Sequence, residues 1–95
     1  MHEAEIAECY RKINLGASLT SLMNHNPDFR AVVVQGFLRD EVLSRALNIN
    51  KDKSGTVAFL ECVQTFKQYL DRVIAEGEQA QMDLRNYQQL LQDGD

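Results

Sequence analysis

Apolar or small residues recur along the last third of the chain at Val63, Phe66, Leu70, Ile74, Gly77, Ala80, Leu84, Tyr87 and Leu91. The steps are threes and fours, the spacing that keeps side chains on one face of a helix. Residues 56–91 contain no proline and predict a single helix of about 36 residues, about 54 Å long at 1.5 Å per residue. From Leu70 onward the fours and threes describe a narrow heptad seam rather than a broad core face.

Two shorter helices are expected before it. Residues 3–23 place Ile6, Tyr10, Ile13, Ala17, Leu19, Leu22 and Met23 near a 3.6 period, opposite Glu3, Glu5, Glu8, Arg11 and Lys12. Gly16 falls inside this helix, where a close helix crossing would compensate its poor propensity. The sequence Asn24-His25-Asn26-Pro27-Asp28 breaks the pattern. Pro27 disfavours helical geometry at Asn26, so Asn26 fits as N-cap and Pro27 as the first helical residue. A second helix over 27–47 turns Phe29, Val32, Val33, Phe37, Val42, Leu43, Ala46 and Leu47 inward, although Val32-Val33-Val34 favours strand by propensity alone. Residues 48–55 form the next turn, with Ser54 or Thr56 as cap of the long helix. The tail Gln92-Asp93-Gly94-Asp95 is expected to fray. The fold class is all-α: a helical hairpin plus a long C-terminal helix, one domain over 1–95, a three-helix bundle with a protruding, coiled-coil-like end.

Composition narrows the function classes. The net charge is −4 over 95 residues, and Lys and Arg are scattered among acidic neighbours. A phosphate backbone demands clustered cations, so no nucleic-acid partner is expected. No signal peptide and no apolar run of transmembrane length appears, so no membrane partner is expected either. Cys9 and Cys62 lie in different helices without metal-ligand spacing to His2 or His25, and read as buried free thiols of a reducing compartment. Cys9 and His2 share a helix, but a frayed terminus would not hold a base in place, and no enzyme and no cofactor are expected.

One loop carries candidate chemistry. Counted from Asn50, oxygen-bearing side chains fall at positions 1, 3 and 5 (Asn50, Asp52, Ser54), Gly55 at 6 and Glu61 at 12. This resembles an EF-hand loop, with Thr56 offering its carbonyl to Ca²⁺. Against it, position 9 is Ala58, Lys51 and Lys53 flank the site, and there is no second loop to pair with. The alternative is a polar turn from which the helix starts near Thr56.

Asn26-Pro27-Asp28-Phe29, Val33, Gly36-Phe37, Asp40-Glu41, Phe66-Lys67-Gln68-Tyr69-Leu70 and Glu76-Gly77-Glu78 together resemble a group of small proteins of tailed bacteriophages. The resemblance spans residues 13–88. It implies a virion structural or assembly role, in the host cytoplasm during infection or in the particle. It carries no functional residues with it, and in that group the turn before the last helix has no fixed calcium pattern. Geometry suggests how such a role would work. Two helices of about 32 Å can pack on residues 56–77. The remainder then projects with an uncovered seam, and Leu70, Ile74, Gly77, Ala80, Leu84, Tyr87 and Leu91 become an interface to another copy or to a larger phage structural protein. The alternative is a first helix that slides along to cover the seam. A different class is a host-directed acidic binding module presenting Glu76, Glu78, Asp83, Asp93 and Asp95.

Overall fold

The computed structural model describes residues 2–93. It is all-α, with three helices of which the last is the longest, as the periodicity predicts. Helix α1 is Glu3–His25. Helix α2 covers 27–47 in three continuous parts: α-helical Pro27–Phe29, a wider π-helical Arg30–Glu41, and α-helical Val42–Leu47. A short 3₁₀ turn, Ile49–Lys51, leads to α3, Lys53–Asp93. The chain divides into two compact units, Met1–Thr20 with Asp71–Asp95, and Ser21–Leu70.

The expected punctuation before α2 is present. Asn26 sits at φ −112°, ψ 101°, and its side-chain oxygen accepts a hydrogen bond from the Phe29 amide at 2.9 Å. Pro27 follows in the first turn, where a missing N–H is no loss. A cap of this kind contributes about 1 kcal/mol. The other predicted start is corrected. Helix α3 begins at Lys53, because the Asp52 carboxylate accepts from the Gly55 amide at 3.1 Å and so caps the helix ahead of Ser54 and Thr56. Its far end reaches Asp93, so Gln92 and Asp93 stay helical; Gly94 and Asp95 lie outside the described residues.

In the first unit, α1 lies along the distal part of α3. Gly16 meets Gly77 so closely that a Cβ on Gly77 would stand 3.1 Å from the Lys12 carbonyl oxygen and 3.3 Å from the Gly16 Cα. Further along the same pair, the His2 ring centroid is 5.0 Å from that of Tyr87. Part of the seam expected to project, at Gly77 and Tyr87, thus meets α1 of the same chain. Periodicity places Ile6, Ile13, Leu19 and Met23 on the inner face of α1, as the structure has them, but not Tyr10, Ala17 and Leu22, which are exposed. Cys9 and Gly16 are buried, whereas Tyr10 and Ala17 are exposed. The row His2, Cys9, Gly16, Met23 has a seven-residue step, and its small members let the backbones approach.

In the second unit the π-helical stretch changes the phase of α2. Hydrogen bonding to the fifth residue instead of the fourth widens each turn. The half-buried residues are Phe29, Val33, Val34, Gly36, Leu38, Val42 and Ala46, and apart from Val33 and Gly36 they follow one another at steps of four or, from Phe29 to Val34, five. An α-helical reading expects Phe37 inside; the wider winding puts Leu38 there and turns Phe37 outward, along with Val32. Leu43 and Leu47, expected inside, are also exposed. Backbone angles at the joints stay helical (Phe29 −60°, −44°; Val42 −61°, −46°), so α2 does not break. The three valines sit in this stretch, where relief from the crowding that β-branched side chains suffer against the preceding α-helical turn is a physical gain.

Candidate functional site

An apolar concavity lies within the second unit. Val32, Val33 and Phe37 of α2 face Phe59, Cys62, Val63 and Phe66 of α3 across an open groove of about 460 Å³. Every lining side chain is apolar. Val63 is buried at its floor, Val33 and Phe59 are half-buried, and Val32, Phe37, Cys62 and Phe66 are exposed. Two contacts order one end. Phe37 meets Phe59 edge to face, with ring centroids 5.9 Å apart at 81°. The Arg45 guanidinium lies over the Phe59 ring, 4.7 Å from its centroid, while its Nε donates to Glu41 at 3.1 Å. Phe59 is held in place by these neighbours.

Such a groove offers no proton acceptor, no nucleophile–base pair and no countercharge. What it can do is take apolar side chains out of water, at about 25 cal/mol per Å². Helix phase explains why sequence reasoning missed it. The surplus of apolar residues in Val32-Val33-Val34 and Phe37-Leu38 was the available signal, since one helical face cannot bury them all.

The other sequence candidates are placed as follows. Of the predicted seam, Gly77 is buried and Ala80 is only 2% exposed, both inside the first unit. Leu70, Ile74, Leu84 and Tyr87 are half-buried, and Leu91 is exposed. A seven-residue step of inward positions begins earlier than the sequence suggested, at Thr56, and runs through Val63, Leu70 and Gly77 to Leu84. The Asn50–Glu61 stretch runs from the 3₁₀ turn into the first turns of α3. Asp52 is engaged as a helix cap, Ser54 and Glu61 stand on α3, and Thr56, 4% exposed, donates its amide to the Asp52 carbonyl within the first helical turn. Asn50 belongs to the preceding 3₁₀ turn. Among the described residues no group of three or more His, Cys, Asp or Glu side chains is arranged to hold a metal ion.

The expectation of two buried thiols is half corrected: Cys9 is buried and Cys62 is exposed in the groove wall. His2 is not at a loose end. Its carbonyl accepts from the Ile6 amide at 2.9 Å and its ring rests near Tyr87, while Cys9 lies about two turns, or 10 Å, further along α1. Of the acidic set, Glu76 stands 4.0 Å from Arg72, Asp83 accepts from Gln79 at 3.0 Å, and Asp95 lies outside the described residues. Glu76 and Asp83 thus each have a side-chain partner on α3. On the exposed face of α1, a hydrogen bond from Arg11 at 2.9 Å holds the Glu8 carboxyl below its usual range. Among the described residues, no helix is long and apolar enough to cross a membrane.

No family model matches the chain, and neither do any curated protein or solved structure.

Proposed function

We propose that this chain is a small phage-encoded helical protein, without catalytic activity, that acts as a self-associating structural or assembly component of a virion. The observation that carries the reading is the open apolar groove of the second unit, beside a very thin core. Among the described residues the buried apolar side chains are Cys9, Leu19, Val63 and Ala80. A core of that size leaves a chain of 95 residues near the lower limit of independent stability, and association is the usual remedy. The resemblance to phage proteins supports the setting. Residues that carry it have definite structural positions: Asn26 caps α2, Phe37 and Phe66 line the groove, and Gly77 makes the close crossing.

Sedimentation equilibrium from about 1 to 100 µM tests the self-associating part, since small interfaces dissociate in that range. The expected result is a mass that rises with concentration to a defined multiple of 10.8 kDa. A chain that stays monomeric throughout would overturn it and favour a host-directed binding module instead.

A further inference from the structure

We propose that the groove between α2 and α3 is a two-fold interface, in which Val32 of each copy seats in the groove of the other. This rests on the self-associating reading above and names the surface that performs it.

The first argument is shape. A two-fold contact brings one patch against an identical patch, so the patch must carry both a projection and a recess. Val32 is 69% exposed at the edge of the groove, and Val33, Phe59 and Val63 form the recess beside it. Projection and recess lie on one surface.

The second argument is chemistry. The lining consists of Val, Phe and Cys side chains only. Two copies meeting here remove no ionised group from water, and so avoid the desolvation penalty that charged interfaces carry. A small-molecule site would need a few polar groups to fix the ligand's orientation, and the groove has none. A charged peptide would find no countercharge in it. The occupant that matches is another uncharged apolar surface, and the chain supplies one in the patch itself. Net charge of −4 per copy opposes approach only weakly, because at physiological salt repulsion is screened within about 8 Å.

The third argument is area. Phe37 and Phe66 are 39% and 40% exposed. With an aromatic side chain offering about 150–250 Å², these two, Val32 and Cys62 present on the order of 400 Å² per copy. Two copies together bury about 800 Å², short of the roughly 1,000 Å² of a stable specific interface. The dimer is therefore weak and concentration-dependent.

Cys62 reports on this surface directly. It is exposed in the groove wall, whereas Cys9 is buried, so a maleimide reads Cys62 first. Labelling rate and sedimentation mass are measured on the same samples from about 1 to 200 µM, spanning the range of weak interfaces. The expected result is a doubling of mass with a slowing of Cys62 labelling of about tenfold or more. Val32→Asp should weaken association by about 100-fold and restore fast labelling, because a carboxylate cannot enter an apolar recess unpaired. Leu47→Asp, at a site on α2 that is 76% exposed and outside the groove, should change neither. Helical circular dichroism confirms that each variant is folded; should Val32→Asp unfold α2, Cys62→Glu on α3 gives the same answer by mass alone. An oligomer whose Cys62 labels at one rate at all concentrations, or that survives a folded Val32→Asp, would place the interface elsewhere and overturn this inference while leaving self-association standing. A monomer at every concentration would overturn both.

Discussion

Gly77→Leu should lower the melting temperature by about 10–20 °C. The physical basis is the backbone-to-backbone approach of α1 and α3. A Cβ at Gly77 stands 3.1 Å from the Lys12 carbonyl oxygen and 3.3 Å from the Gly16 Cα, and at Gly16 it stands 3.3 Å from both the Gly77 Cα and the Val73 carbonyl oxygen. These neighbours are backbone atoms, which cannot rotate aside as a side chain does. Accommodating leucine means separating the two helices, and overpacking of this kind costs about 1–3 kcal/mol, here at the upper end. In a domain of this size each kcal/mol moves the midpoint by about 4–8 °C. Gly77→Ala is the finer probe. Alanine gains about 1 kcal/mol in helix propensity, so a net loss of stability in that variant isolates the clash from the propensity. The double variant Gly16→Leu/Gly77→Leu should cost less than the sum of the single changes, because one separation of the helices relieves both. Glu78→Leu, next in sequence but exposed, should stay within about 0.5 kcal/mol. Thermal melts followed by circular dichroism check all four.

Leu19→Ala should destabilise the protein by about 2–4 kcal/mol, while Leu22→Ala should cost about 1 kcal/mol or less. The two leucines are three residues apart on α1 and would serve a periodicity argument equally well. Leu19 is 8% exposed and Leu22 is 38% exposed. Removing three carbons from a buried position loses their transfer energy and leaves a cavity; removing them from a half-open one loses only part of the transfer energy. The loss at Leu19 is large because so few apolar side chains are buried at all. Urea titrations with a shared slope separate the two costs. Equal costs at the two positions would contradict the orientation of α1 described above.

What the sequence disclosed follows from local physics. Asn26-Pro27 marks a helix start by a side-chain hydrogen bond and a fixed φ, both contained within four residues, and the structure places the cap there. The all-α class follows from periodicity over long segments. What was hidden depends on winding and on which helix reaches which. Within the π-helical stretch from Arg30 to Glu41 Leu38 turns inward in place of Phe37, and nothing in Val32-Val33-Val34 announces it. That shift is why Phe37 lines a groove rather than a core. Helix α1 and the seam of α3 each have compatible small residues, Gly16 and Gly77, but only the fold shows that they meet each other within one chain. At Gly77 the candidate interface meets α1 of the same chain, the alternative in which the first helix slides along the seam, whereas the favoured packing put α1 against the earlier part of the long helix. The calcium-like spacing has a structural use of its own in the fold. Asp52 can cap a helix as readily as it can ligate a cation, and capping starts α3 three residues sooner than expected.

The central claim is that the chain works as part of a virion or of its assembly. The most direct measurement is intact-mass spectrometry of denatured phage particles purified from lysates that contain the chain, counting this 10.8 kDa chain against the major shell protein. The account predicts its presence at a fixed ratio compatible with particle symmetry, or, for a transient assembly factor, in assembly intermediates and not in finished particles. Absence from both, in cells where the chain is abundant, would contradict the account.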